Sequence, residues 1–237
     1  DGGQSWDRIR WPIGFRLGGI PKDVLLKSEN AWLLTDRIIH TSDGGASWLQ
    51  QPPGTLSADN GNDEWMAEIG FLGGDIAWIT GTNDTGGECR IHFTFDGGTS
   101  WRHHLPMPLH LKTVTLLDAQ TGVGAGRGFL ARLGDGLDIQ VLRGGDEVPA
   151  IRSPASSAMP DSSHAWVVGR DWTGMGWEQD GRVLASFDGG RSWCRQQLPT
   201  AAGLRKASFV DARTGWAVGE NGTVLRYRGT GSSAPPV

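Results

Sequence analysis

SFDGGRSW, residues 186–193, is the stretch that decides the fold. Asp-Gly-Gly is a strong turn signal, because adjacent glycines accept the positive φ that tight hairpin turns demand. The pattern D-G-G-x-S-W recurs as DGGQSW (1–6), DGGASW (43–48) and DGGTSW (96–101). Four copies in 237 residues mark an internal repeat. The tryptophans at 6, 48, 101 and 193 leave a last interval about twice the others. Midway along it RGGDEV (143–148) keeps the frame in degenerate form and reads as the box of a third repeat.

Apolar strands run in phase with the boxes: NAWLLT (30–35), IAWIT (76–80), TGVGAG (121–126), HAWVVG (164–169) and TGWAVG (214–219). A further strand follows each: RIIHTS (37–42), RIHFTF (90–95), LDIQVL (137–142), RVLASF (182–187) and TVLRYR (223–228). Weaker strands such as VLLKS (24–28), TVTLL (113–117) and LRKASFVD (204–211) precede them. Each unit therefore reads strand, strand, strand, box, strand, with a period of about 47 residues, which is the signature of a β-propeller blade.

The expected fold is all-β: a five-bladed β-propeller of four-stranded antiparallel blades. DGGQSW is a turn with no strand before it, and TVLRYR is a strand with no box after it. Pairing residues 4–11 with residues 223–228 would complete the last blade and close the ring. Without that pairing the ring is open or larger than five blades. The domain then spans 1–228, with GTGSSAPPV (229–237) as a flexible tail or linker.

In the box, an Asp carboxylate accepts bonds from turn amides and the Trp buries a large ring between sheets. Asp1, Asp43, Asp96 and Asp188 with Trp6, Trp48, Trp101 and Trp193 are read as scaffolding. Trp32, Trp78, Trp166 and Trp216 are read as packing between blades. Trp11, Trp65, Trp172 and Trp177 fall in long variable segments, where binding sites tend to lie.

SFDGGRSW, SDGGASW (42–48) and FDGGTSW (95–101) resemble the Asp-box, or bacterial neuraminidase repeat, superfamily. LRKASFVDARTGWAVGENGTVLRYR (204–228), with the DGG-x-SW boxes, is similar to the photosystem II assembly and stability factor family. The resemblance implies a propeller with peripheral boxes, a protein partner in a membrane-associated complex, and an extracytoplasmic setting: periplasm, thylakoid lumen or secreted. Sialidases and xyloglucan-type glycosidases carry similar boxes, so a glycan-active or glycan-binding propeller is the alternative.

The sialidase reading needs an arginine triad, a Tyr nucleophile and an acid/base Asp. Its Arg-Ile-Pro signature is absent, and the one tyrosine, Tyr227, lies on a strand between Arg226 and Arg228. Xyloglucan-type enzymes face carboxylates across two propeller domains; here Asp171 or Glu178 with Asp63 or Glu64 is the nearest equivalent.

Three segments are enlarged: GTLSADNGNDEWM (54–66), GTNDTGGEC (81–89) and GRDWTGMGWEQDGR (169–182). Acidic groups interleaved with indoles suit a protein interface, a sugar ring, or a solvated loop packed on its own blade. Arg8, Arg10, Arg16, Trp65, Arg170, Asp171, Trp172, Trp177, Glu178 and Arg182 are the candidate partner-binding residues. No catalytic residue is assigned.

Net charge −4 argues against general nucleic-acid binding. Arginine outnumbers lysine, which is confined to Lys22, Lys27, Lys112 and Lys206; codon bias accounts for this, and guanidinium forks suited to carboxylates and protein interfaces are the alternative reading. No apolar run reaches the ~18 residues of a membrane helix. A chain opening on Asp1, with no initiator Met or signal peptide, reads as a processed or trimmed form. WRHHLPMPLH (101–110) gathers three histidines, but His103 and His104 are adjacent on a strand and point to opposite faces. No metal and no cofactor is expected. GAGRG (124–128) lies in an all-β repeat, where no helix terminus can hold phosphate. Cys89 and Cys194, in non-adjacent blades, are expected as unpaired thiols.

Overall fold

The computed structural model describes residues 23–27, 29–34, 38–50, 64–73, 76–83, 89–103, 111–118, 120–134, 139–143, 151–172 and 179–229. Among them helix is confined to a 3-10 turn at Glu220–Gly222. Everything else regular is antiparallel strand, arranged as five consecutive meanders.

The first sheet contains β1 (Asp23–Lys27), β2 (Asn30–Leu34), β3 (Ile38–Thr41) and β4 (Leu49–Gln50). The second contains β5 (Glu64–Gly73), β6 (Ile76–Asn83), β7 (Cys89–Thr94) and β8 (Arg102–His103). The third contains β9 (Leu111–Leu116), β10 (Gly122–Gly126), β11 (Phe129–Leu133) and β12 (Ile139–Arg143). The fourth contains β13 (Ser153–Ala158), β14 (Ala165–Trp172), β15 (Gln179–Ser186) and β16 (Cys194–Gln196). The fifth contains three strands among the described residues: β17 (Leu204–Phe209), β18 (Thr214–Gly219) and β19 (Val224–Arg228).

First strands meet in order, β1 with β5, β5 with β9, β9 with β13 and β13 with β17. Between β9 and β13 the contact includes hydroxyl pairs. Thr113 Oγ1 lies 2.8 Å from Ser157 Oγ, and Thr115 Oγ1 donates to the Ser157 carbonyl at 3.0 Å. Buried hydroxyls that satisfy one another fix the relative height of the two sheets without leaving an orphaned group.

Elsewhere the sheets stack through apolar faces with period two. Trp32, Leu34 and Ile38 of the first sheet pack on Ile69, Ala77, Ile79 and Trp101 of the second. Trp78, Ile91 and Phe93 pack on Val114, Leu116, Phe129, Ala131 and Leu133 of the third. Val123, Ala125 and Leu130 meet Ala165, Val167, Leu184 and Trp193 of the fourth. Trp166, Val168, Val183 and Ala185 meet Leu204, Ala207 and Ala217 of the fifth. Gly70 lies opposite Trp78, where a Cβ would stand 2.1 Å from the indole, so only glycine admits that ring.

Two sequence expectations need correction. LDIQVL forms the fourth strand of its sheet, because Ile139 pairs with Leu133 of β11. RGGDEV therefore does not occupy the box position of the third repeat; Arg143 ends β12. The cause is the two-residue turn Arg127-Gly128, with Gly128 at φ 77°, which returns the chain at once and moves the third strand forward to FLARL. Second, Trp216 is not packed between sheets: it is 41% exposed, against 2% for Trp32, 4% for Trp78 and 0% for Trp166. Among the described residues the sheets are not closed into a ring, and the Trp216 face of the fifth sheet is exposed. Residues 4–11, expected to pair with β19, lie outside the described residues, as do Asp1 and Trp6.

Candidate functional site

The three described boxes are hydrogen-bonded turns. In each described copy a hydroxyl two residues before the Asp donates to it: Thr41 to Asp43 at 2.7 Å, Thr94 to Asp96 and Ser186 to Asp188 at 2.8 Å. The Ser four residues on donates both its N–H and its hydroxyl, as with Ser47 on Asp43, Ser100 on Asp96 and Ser192 on Asp188. The paired glycines sit at φ 69° and 93° (Gly44, Gly45), 68° and 91° (Gly97, Gly98), and 72° and 85° (Gly189, Gly190). Trp48 and Trp193 each donate from Nε1 to the second glycine's carbonyl at 3.1 Å, which anchors the ring under the turn.

Donors to the charged form favour ionisation. The Ser47 hydroxyl, then its N–H and the Thr41 hydroxyl, hold Asp43 well below the usual carboxylate range. Ser100 does the same for Asp96, lowered to about 2. For Asp188 burial pushes upward, but the Ser192, Ser186 and Arg191 donors together outweigh it. Every carboxylate shift resolved among the described residues is downward, including Asp161, where donors from His164 and Ser163 overcome burial. A general acid for glycoside cleavage needs the opposite shift.

Charge gathers instead at the β14–β15 hairpin and the neighbouring fifth sheet. That hairpin is zipped from Ala165↔Ser186 out to Trp172↔Gln179, which sets Asp171 directly opposite Asp180 and Gly169 opposite Arg182. Arg182 lies between the two carboxylates, Nε 3.7 Å from Asp171 and Nη1 3.9 Å from Asp180. Arg152, just before β13, reaches Asp171 from the other side at 3.7 Å. Across the joint between sheets, Arg170 Nη1 donates to Glu220 at 3.0 Å, and Arg205 donates to the same Oε1.

Glycines let the backbones approach this closely. Gly181 N–H donates to the Ala201 carbonyl at 2.7 Å, and a Cβ at Gly181 would stand 2.2 Å from the Ala202 oxygen. A Cβ at Gly203 would meet the Glu220 carboxylate at 3.0 Å. The arginines then divide into two kinds. Arg182 is 12% exposed and committed to its carboxylates, whereas Arg152 and Arg205 are 62% and 56% exposed, each ion-paired to one carboxylate. A guanidinium has five donors, so one carboxylate leaves part of the fork for an external acceptor.

Of the expected contact residues, Asp171 and Arg182 come together, whereas Arg170, on the opposite face of the same hairpin, joins Glu220 and Arg205 of the fifth sheet. Trp172 ends β14 and Trp65 lies in β5, with side chains outside the described residues. Arg8, Arg10, Arg16, Trp177 and Glu178 lie wholly outside them. Arg152, Arg205 and Glu220 were not expected. Their signal in the sequence is faint: glycines at 181 and 203, the first in β15 and the second in the connection before β17. His92 and His103 pair across β7 and β8, yet no group of three potential metal ligands occurs among the described residues. Cys194 is an unpaired thiol whose pKa burial raises; the Cys89 side chain lies outside the described residues. No described helix is long and apolar enough to cross a membrane.

Solved structures with the same arrangement decide the architecture. YCF48 from Cyanidioschyzon merolae matches over 96% of this chain and 74% of its own, with TM-score 0.64 and 20% identity. The fold is a β-propeller. A second YCF48, in a structure titled as bound to D1 peptide, matches this propeller over 97% of the chain and 83% of its own, with TM-score 0.54 and 18% identity. The GH74 enzyme of Niastella koreensis matches over 84% of this chain but 34% of its own, with TM-score 0.60 and 15% identity. No family model and no curated protein matches the sequence.

Proposed function

We propose that this propeller is a non-catalytic protein-binding scaffold that docks on a larger, membrane-associated, extracytoplasmic assembly. The supporting observation is the arginine group at the fourth and fifth sheets, where Arg152 and Arg205 are half-exposed and held by fixed carboxylates. Held this way, a guanidinium keeps its orientation while still offering donors to a partner's carboxylates. The similarity to a YCF48 bound to D1 peptide is in keeping with a protein ligand. Trp65, Trp172, Trp177 and Glu178, with Arg8, Arg10 and Arg16, extend the proposed contact surface beyond the described residues. Completion of the last sheet by residues 4–11, giving five blades, remains part of the same proposal.

The similarity to a GH74 enzyme supports a second reading, a glycan-active or glycan-binding propeller. The two separate in one comparison. Capture of a protein partner from the native cell extract should be lost in Arg152→Glu/Arg205→Glu and in Trp172→Ala/Trp177→Ala. Unchanged capture by both double variants, or hydrolysis of an aryl glycoside above background, overturns the scaffold reading.

A further inference from the structure

Trp216 occupies the register position that Trp32, Trp78 and Trp166 occupy in their own sheets, yet its ring is bare. What surrounds it also differs. Trp166 is flanked across the strands by Ala158 and Ala185, and its neighbour Val168 by Ser156 and Val183. Trp216 is flanked by Ser208 and Arg226, and Val218 by Lys206 and Val224. The position facing the Trp on the third strand is His40 in the first sheet, Phe93 in the second and Ala185 in the fourth. In the fifth sheet it is a cation whose guanidinium carbon sits 5.6 Å over the Trp216 ring. A face built only to stack on another such sheet would not place an arginine there, because burying it unpaired is costly.

The face combines apolar and cationic character at strand spacing. Trp216, Val218 and Val224 are exposed large hydrophobic residues on the fifth sheet, and Val210, just after β17, is exposed beside it in sequence. Arg226 and Arg228 alternate on β19 and are exposed together. The ion pairs among the described residues give neither of them a carboxylate. Two residues along a strand advance about 7 Å, so carboxylates at alternate positions of an extended segment match the two guanidinium groups. The other candidate occupant, a second copy of this chain laid face to face, would oppose Arg226 to Arg226 and add like-charge repulsion.

We infer that the open face of the fifth sheet, Trp216, Val218 and Val224 with Arg226 and Arg228, is a docking surface for an extended acidic segment of another polypeptide. Apolar side chains of that segment cover the Trp216 ring while its alternating carboxylates bind Arg226 and Arg228. The surface is carried by residues other than the arginine group of the fourth sheet and does not depend on that group binding anything.

The probe is a short labelled peptide alternating leucine and glutamate, with a leucine and lysine peptide as its opposite, each titrated against the full chain by fluorescence polarisation. The glutamate peptide should bind, weaken at least tenfold in Arg226→Glu/Arg228→Glu, and weaken as salt rises. The charge-reversed variant should instead gain affinity for the lysine peptide, which only a folded protein can show. Trp216→Ser should lose binding to the glutamate peptide while leaving the far-ultraviolet spectrum unchanged. Absence of binding, equal affinity for both peptides, or binding indifferent to the arginine variants would overturn the inference. So would a dimer in light scattering that Trp216→Ser dissolves, since a second copy would then be the occupant.

Discussion

Replacing Trp166 and, separately, Trp216 with alanine compares one motif position in two settings. Trp166 is fully buried, stacked on Phe209 at 3.9 Å with Tyr227 edge-on at 5.3 Å. Truncating a buried aromatic of this kind costs about 3–5 kcal/mol, because transfer and cavity terms add. Trp216 keeps 41% of its surface in water. On a ring burying roughly 200 Å² at about 25 cal/mol/Å², that exposed share removes about 2 kcal/mol from the cost. No closed cavity forms at an open face, which lowers the cost further. Urea titration followed by circular dichroism should therefore place Trp166→Ala at least about 2 kcal/mol below Trp216→Ala, or roughly 4–8 °C lower in Tm for a chain of this size. Equal destabilisation, or a larger effect at Trp216, would refute the assignment of one face as interior and the other as free.

Other expectations follow from the boxes, the crossing connections and the thiol. Asp96 has a folded pKa of about 2, below its ordinary value of 3.8, so its stabilisation is complete above about pH 4 and lost as pH falls through 2. An Asp43→Asn/Asp96→Asn/Asp188→Asn variant should be less stable at neutral pH and show a shallower loss of stability between about pH 4 and 2, measured by acid titration of ellipticity. Gly181→Ala should cost about 1–3 kcal/mol, since the new methyl meets the Ala202 carbonyl, which belongs to backbone; Gly44→Ala meets no atom, and its cost in urea titration should reflect the positive φ alone. In a Cys89→Ser background, Cys194 should react with iodoacetamide more slowly than free cysteine at pH 8.5, because burial raises its thiol pKa. A rate matching the free amino acid would remove that reading.

The repeat was legible because Asp-Gly-Gly-x-Ser-Trp carries its own local chemistry. A carboxylate, two positive-φ glycines and a hydroxyl close most of the turn's hydrogen bonds within six residues. The third repeat falls out of phase because its sequence carries no Asp-Gly-Gly-x-Ser-Trp, and the Arg127-Gly128 hairpin moves the third and fourth strands of that one sheet forward. Arg170, Asp171 and Arg182 could be singled out because they share one enlarged hairpin. Arg152, Arg205 and Glu220 could not, because they reach it from connections and a separate sheet. Trp216 shows the limit most clearly. TGWAVG and HAWVVG read alike, and the difference lies in what stands across the strands, Arg226 and Ser208 in place of two alanines.

The scaffold reading meets its most direct test in native mass spectrometry of the protein isolated from its own cells. A single polypeptide bound in stoichiometric amount, and released by Arg152→Glu/Arg205→Glu, is the predicted result. A chain that carries no polypeptide and instead shortens an oligosaccharide added to the same sample would contradict it.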